Sequence, residues 1–258
     1  MDARVRTTDG KMANGMEGRP EFSVVVPVRN EADNVDALAR EIAKVLAGRA
    51  YELIFVDDSS TDDTRPRLFG LKDSIPALRV LGHRKNAGQS RAVRTGVDAA
   101  RSNIIVTLDG DGQNDPGDIL GLVGQLTRPD APSDLALVQG RREKRSDSGW
   151  KRFGSKVANS VRGSILKDNA QDSGCGARAF RRDAYLHLPY FDHIHRYLPA
   201  VMLSDGFQVE SRPVNHRARQ HGRSNYTNFG RLADAWSDLR GVMWLRRRRR
   251  SPGGVDEI

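Results

Sequence analysis

The chain has 258 residues, 38% hydrophobic and 29% charged, enough to bury a core as one large domain or two small ones. Its lone Cys175 excludes an intramolecular disulfide and suits a reducing compartment, and no apolar run reaches the roughly eighteen residues of a membrane span. The net charge of +9 is matched by the stretch from Arg212 to Arg250, eleven Arg against two acids, so the basic character belongs to the C-terminal part and not to a nucleic-acid-binding core.

Residues 1–20 are polar and Gly-rich and read as a disordered leader, without the apolar centre of a signal peptide. Phe22 to Val28 is a buried-type strand, followed by the turn Arg29-Asn30-Glu31. Val35, Leu38, Ile42, Val45 and Leu46 recur at helical spacing up to Gly48. Tyr51 to Val56 is the second strand, and Asp57-Asp58-Ser59-Ser60-Thr61-Asp62 leaves its carboxyl end with several residues able to cap the next helix. Arg79 to Gly82 is a third strand, and Asn86-Ala87-Gly88-Gln89-Ser90 opens a helix through about Ala100. Asn103 to Leu108 is a short β-branched strand that runs into Asp109-Gly110-Asp111-Gly112-Gln113. Asp115 and Pro116 suit the cap and first position of a helix ending near Leu126, and Leu135 to Gly140 is one more strand.

Strand and helix alternate through residue 140, which predicts an α/β fold with a parallel sheet and crossover helices. Beyond it the pattern is less regular. Trp150 to Leu166 reads as a basic helix, Gln171 to Gly176 as a small-residue turn, Arg178 to Arg182 as a short strand and Val209 to Val214 as another. A segment around His195-Arg196-Tyr197-Leu198-Pro199-Ala200 leads into a helix, and His216 to Tyr226 is a basic loop. The last helix, about Phe229 to Leu245, ends in Arg246 to Arg250, with residues 251–258 as a tail.

In an open α/β sheet, ligands bind beyond the carboxyl ends of the strands. Glu31, the pair Asp57 and Asp58, and the pair Asp109 and Asp111 all fall at such ends. Asp109 and Asp111 alone are compatible with a polar turn ahead of a capped helix. In the company of the other two clusters they read as a site for a hard divalent ion, Mg²⁺ or Mn²⁺, with Gln113 able to add a carbonyl oxygen. Held there, the ion would stabilise negative charge building on a phosphate leaving group. Asp58 is placed to accept from a base or ribose, or else to cap a helix.

The ordered segments Val24 to Glu31, Val56 to Asp62, Asn86 to Ala92 and Leu108 to Gln113 resemble the motifs of family-two inverting glycosyltransferases with the Rossmann-like GT-A fold. Gly140-Arg141-Arg142, Asp172 to Gly176, His195 to Ala200 and His221 to Tyr226 carry a closer likeness to polyprenyl-phosphate glycosyltransferases of the dolichol-phosphate mannose synthase type. The resemblance covers about Phe22 to Arg250, with the transferase domain expected over 21–228 and the C-terminal helix over 229–250. It implies a mostly parallel sheet and donor contacts at Pro27, Arg29, Glu31, Val56, Asp58, Asp109, Gly110 and Asp111. It implies metal ligation by Asp109, Asp111 and Gln113, and phosphate binding by Arg142, Lys156 and, in the basic loop, Arg219. Arg29 stands where the family usually has an aromatic residue, and Asn225 stands where a Lys is expected.

The chemistry that follows is transfer of a sugar from a GDP- or UDP-linked donor to a polyprenyl phosphate. The acceptor oxygen is already anionic and needs alignment more than a base. A saccharide hydroxyl would need a base instead, for which Asp172 is the first candidate; its other role is a turn residue. Phe229, Leu232, Trp236, Leu239, Val242, Met243 and Leu245 form one apolar stripe ahead of the Arg run. That helix either docks on the anionic cytoplasmic face of a membrane or packs on the domain. A different class, a non-catalytic membrane- or nucleic-acid-binding protein on a transferase fold, is opposed by the intact acidic pair and the localised charge.

Overall fold

The apolar runs fold as neighbouring strands because each is buried on both faces. Along β1 (Phe22–Val28), Val24 and Val26 enter one core with Phe55, while Val25 enters the other with Ile54 and Val56. A strand buried on both sides needs no polar alternation, which is why the run is continuous. The computed structural model describes residues 18–142, 172, 174–218 and 228–248. The leader before residue 18, the helix expected over 150–166 with Lys156, the basic-loop residues Arg219 and Asn225, and the tail lie outside the described residues.

In chain order the elements are β1, α1 (Ala32–Val45), β2 (Tyr51–Asp57), α2 (Thr64–Gly70), β3 (Leu78–Gly82), α3 (Gln89–Ala99) and β4 (Ile104–Thr107). After a 3-10 turn at Pro116–Asp118 come α4 (Ile119–Thr127), β5 (Leu135–Arg142), β6 (Arg178–Arg181), α5 (Arg182–His187), α6 (Ile194–Ser204), β7 (Gln208–Val214) and α7 (Asn228–Arg248). The seven strands form one sheet in the order β3-β2-β1-β4-β6-β5-β7. β1, β2, β3 and β4 pair in parallel, as do β5 and β7, so the expected mostly parallel sheet is present.

β6 is the exception, running antiparallel to both β4 and β5. The chain leaves β5 at the carboxyl edge of the sheet and begins β6 at that same edge, so β6 can only run back. The consequence is positional: Arg178, its first residue, pairs in register with Thr107 and Gln139 and stands at the functional edge.

Helices α1 and α4 cover one face of the sheet, contributing Val35, Leu38, Ile42 and Leu122 to its core. Helices α3 and α6 cover the other with Val93, Val97 and Leu198 around Phe180. The C-terminal helix sends Leu239 and Val242 into this second core, and Asp238 Oδ2 lies 2.8 Å from His193 Nδ1. That stretch of the expected stripe therefore packs on the domain, while Trp244 is left 59% exposed. Among the described residues no helix is long and apolar enough to cross a membrane.

Candidate active site

Parallel pairing brings the ends of β1, β2 and β4 to one edge, and with them the three acidic clusters. The first two are interlocked by their loops. Asn30 N–H donates to Ser60 Oγ (2.9 Å), Thr61 N–H donates to Asn30 Oδ1 (2.8 Å), and Glu31 N–H donates to Thr64 Oγ1 (2.8 Å). Asn30 makes this turn with a positive φ of 55°, which Asn tolerates better than most residues. Pro27 and Val56 are buried beneath these loops, Glu31 is half-buried, and Arg29 is exposed.

Asp57 and Asp58 divide their work. Buried Asp57 accepts from Arg65 Nε (2.7 Å) and Ser60 N–H (3.1 Å), which fixes its own loop. Asp58, also buried, accepts from Ala87 N–H and Gly88 N–H, each at 2.8 Å, and its Oδ1 lies 2.7 Å from His83 Nδ1. Both oxygens of Asp58 thus hold the loop between β3 and α3, a role that neither the nucleoside contact nor the cap of the following helix describes.

The third cluster has the most constrained geometry. Asp109 is half-buried, and its Oδ1 accepts from Gln89 Nε2 at 2.9 Å. Its backbone N–H donates to Asn114 Oδ1 at 2.8 Å, and Asp111 Oδ1 accepts from Gln113 N–H at 3.1 Å. Gly110 fits because a side chain there would strike Val28 and the Pro27 carbonyl, and Gly112 turns the loop at φ 73°. Asp115 then caps the 3-10 turn by accepting from Gly117 N–H, as the sequence predicts. The loop is also tied to the end of β7: Arg217 N–H donates to Gln113 O at 2.9 Å, and Arg217 forms a fork with Glu41 at 2.8 and 2.9 Å.

Burial and the neighbouring Asp111 charge push the Asp109 carboxyl up to about 6, against a partial offset from Arg178 and Arg142. The folded protein therefore holds that proton more tightly than the unfolded chain does. Its contribution to stability declines as pH rises from the ordinary 3.8 towards about 6. An ionised Asp109 costs the fold stability, the usual sign of a group placed for function.

Arg178 is a residue that sequence reading assigned only to a strand. It is 4% exposed, a buried cation behind Asp109. Its Nη1 donates to His195 O at 2.7 Å and its Nη2 to Cys175 O at 2.5 Å. The first of these has a local cause. Pro199 lies inside α6 and has no N–H, so the carbonyl four residues earlier, His195 O, lacks its helical donor. Arg178 fills that place. Its Nε has no hydrogen-bond partner among the described residues, and Arg178 lines a small cavity of about 20 Å³ together with Asp109, Thr107, Gly176 and Gln89. A space of that size is roughly that of one water molecule.

Arg142 and Asp172 are brought together rather than kept as separate candidates. Asp172 Oδ2 accepts from Arg142 Nε at 2.6 Å and Oδ1 accepts from Nη2 at 2.7 Å, a planar fork with Asp172 buried. Arg142 Nη1 takes no part in that pair. Cys175 is buried and desolvation pushes its thiol up to about 11, in keeping with an inert side chain.

A mostly parallel α/β sheet with an acidic pair at the carboxyl edge, backed by buried and paired Arg, agrees with the GT-A glycosyltransferase class that the sequence resembles. Glycosyl transferase family 2 matches residues 23–188, and the chain belongs to that family. It is 34% identical over 240 residues to a dodecaprenyl-phosphate galacturonate synthase of Rhizobium johnstonii, covering 90% of this chain and 69% of that protein. It is 32% identical over 223 residues to an undecaprenyl-phosphate 4-deoxy-4-formamido-L-arabinose transferase of Pseudomonas aeruginosa, covering 84% of this chain and 63% of that protein. The fold matches glucosyl-3-phosphoglycerate synthase from Mycobacterium tuberculosis, solved with Mn²⁺, UDP and glucosyl-3-phosphoglycerate, at a TM-score of 0.67 and 20% identity, covering 91% of this chain and 82% of that one.

Proposed function

We propose that this chain is a metal-dependent inverting glycosyltransferase that moves a sugar from a nucleotide-sugar donor to a polyprenyl phosphate. The observation that carries the reading is Asp109 beside Asp111 at the end of β4, two carboxylates whose mutual repulsion a cation would relieve. The donor set suits Mg²⁺ or Mn²⁺. Among the described residues no three acidic, His or Cys side chains form a cage, and such ions commonly take one or two carboxylates together with substrate phosphates. Asp109, Asp111 and the amide oxygen of Gln113 would hold the ion, which when bound supplies Lewis-acid stabilisation to a leaving diphosphate.

The remaining work falls to the chain itself. The loops at Pro27 to Glu31 and Val56 to Asp58 form the wall for the nucleoside, with Asp58 keeping the 83–88 loop in place. Gly110 lets the phosphates approach the end of β1. Arg142 is aimed by Asp172 and offers Nη1 to a phosphate oxygen. The two relatives, both named for a polyprenyl phosphate, support that acceptor. Asp172 supports the same acceptor: with both oxygens committed to Arg142, it is poorly placed to take a proton from a saccharide hydroxyl. A phosphate oxygen needs no such base, and attack opposite the diphosphate inverts the anomeric centre.

Lipid acceptors are reached at a membrane surface. Exposed Trp244 beside Arg246, Arg247 and Arg248 on the last turns of α7 suits docking on the anionic cytoplasmic face. One experiment tests acceptor and docking together: anionic vesicles carrying undecaprenyl phosphate, a panel of UDP- and GDP-sugars, and Mg²⁺ or Mn²⁺. Sugar should enter the lipid fraction and the protein should sediment with the vesicles. Product on a saccharide alone would remove the lipid-phosphate reading, and protein left in the supernatant would remove the docking one.

Because a protonated Asp109 cannot hold a cation, turnover at limiting Mn²⁺ should climb as pH rises through about 6. A pH–rate profile that stays flat through that value would contradict the assignment.

A further inference from the structure

Asp109 carries a hydrogen bond whose donor comes from a different strand–helix unit. Gln89, the first residue of α3, gives Nε2–H to Asp109 Oδ1 at 2.9 Å. The bond spans twenty residues of sequence and closes one side of the carboxylate. The whole carboxyl group also packs close to Gly176, where an added side chain would meet its carbon and both oxygens.

The placement of Gln89 is itself determined. The two amides ahead of it, Ala87 and Gly88, are gripped by Asp58 at the end of β2. Gly88 then turns at φ 85°, in the left-handed half of backbone space, and the helix begins at once. Behind it, Ser90 Oγ lies 2.6 Å from His195 Nδ1, with Ser90 fully buried, which anchors the first turn of α3 to α6. The backbone of Gln89 therefore sits on a pinned segment, which fixes the point from which its side chain reaches Asp109.

We propose that Gln89 is the positioning residue of Asp109: it fixes Oδ1 so that the carboxylate meets the divalent cation in a single orientation, and through Asp58 it links the nucleoside wall to the cation site. This rests on the reading of Asp109 and Asp111 as cation ligands. Hydrogen-bond partners of ligating carboxylates set their geometry, and losing one commonly weakens metal binding by about 10–100-fold.

The test uses Gln89→Met, which keeps the length and volume of the side chain but cannot donate. Mn²⁺ is titrated into the full chain with UDP or GDP present, and free Mn²⁺ is followed by electron paramagnetic resonance. The substitution should weaken Mn²⁺ binding by about ten-fold or more while the melting temperature stays unchanged. Equal Mn²⁺ affinity in both proteins overturns the role of Gln89 and leaves the cation site standing. Absence of Mn²⁺ binding by the unsubstituted protein overturns the cation site and this role together. Weaker binding that comes with a clear fall in melting temperature assigns Gln89 a structural role and also overturns the proposal.

Discussion

Replacing Asp111 by Ala should cut turnover by about 1,000-fold while leaving the fold intact. Lewis-acid stabilisation of a leaving diphosphate is worth several kcal/mol, and about 4 kcal/mol corresponds to three powers of ten. Asp109 alone retains its bond to Gln89 but has lost the second carboxylate. The fold should not suffer, because Asp111 is half-buried and its charge acts against Asp109. Removing it lowers the cost of ionising Asp109, so the melting temperature should hold or rise slightly. Initial rates at saturating donor and Mn²⁺, measured beside a thermal melt, decide the point. Turnover that survives the substitution would take the cation out of the mechanism.

Gly176→Ala should be as damaging by a different route. Gly176 does not sit in the left-handed region of φ, so what it supplies is space. A methyl group built there would overlap the carbon and both oxygens of the Asp109 carboxyl. The backbone has little room to give way. Gly176 O accepts from Thr107 Oγ1 at 2.8 Å, and the next carbonyl, Ala177 O, accepts from Gly140 N–H at 2.9 Å. The carboxylate must swing away from Gln89 or β6 must shift, at a cost of about 1–3 kcal/mol in stability. Turnover should fall on the order of 100-fold, since the misplaced group is the one that would hold the cation. Gly174→Ala is the control. Its added carbon would come no closer than 3.5 Å to Arg142, an ordinary contact, so rate and melting temperature should barely move. Equal behaviour of the two variants would show that crowding at Asp109 is not what matters.

These residues mark where sequence reading stops. The strands from β1 to β5 were legible because each is a dense apolar run between turn residues, and the acidic clusters followed from their ends. The cap at Asp115 was legible because capping is decided within four residues. Asp58 was seen at the correct strand end, but its partners, Ala87 and Gly88, lie about thirty residues away and no local pattern announces them. Arg142 and Asp172 each stand out in the sequence as separate actors; that they form one fork depends on two loops meeting. Arg178 looked like one more basic residue in a short strand. Its signals were the small residues before it and the Pro inside a helical segment, and they gain meaning only when Pro199 is seen to leave His195 O for it.

By itself, then, the sequence determined which segments are strands and helices and which edge of the sheet gathers carboxylates, while the family of chemistry came from the resemblance of its motifs. The first two depend on periodicity, turn residues and the order of elements, all of which act over a few residues or through a single topological rule. Tertiary structure alone decided that β6 runs backwards, that Arg178 is buried behind Asp109, that Gln89 and Gly176 hold its carboxylate, and that Asp172 is committed to Arg142. The reason is physical: hydrogen bonds and close packing reach only a few ångströms, and the partners here are brought within that reach by the sheet order, not by their spacing along the chain.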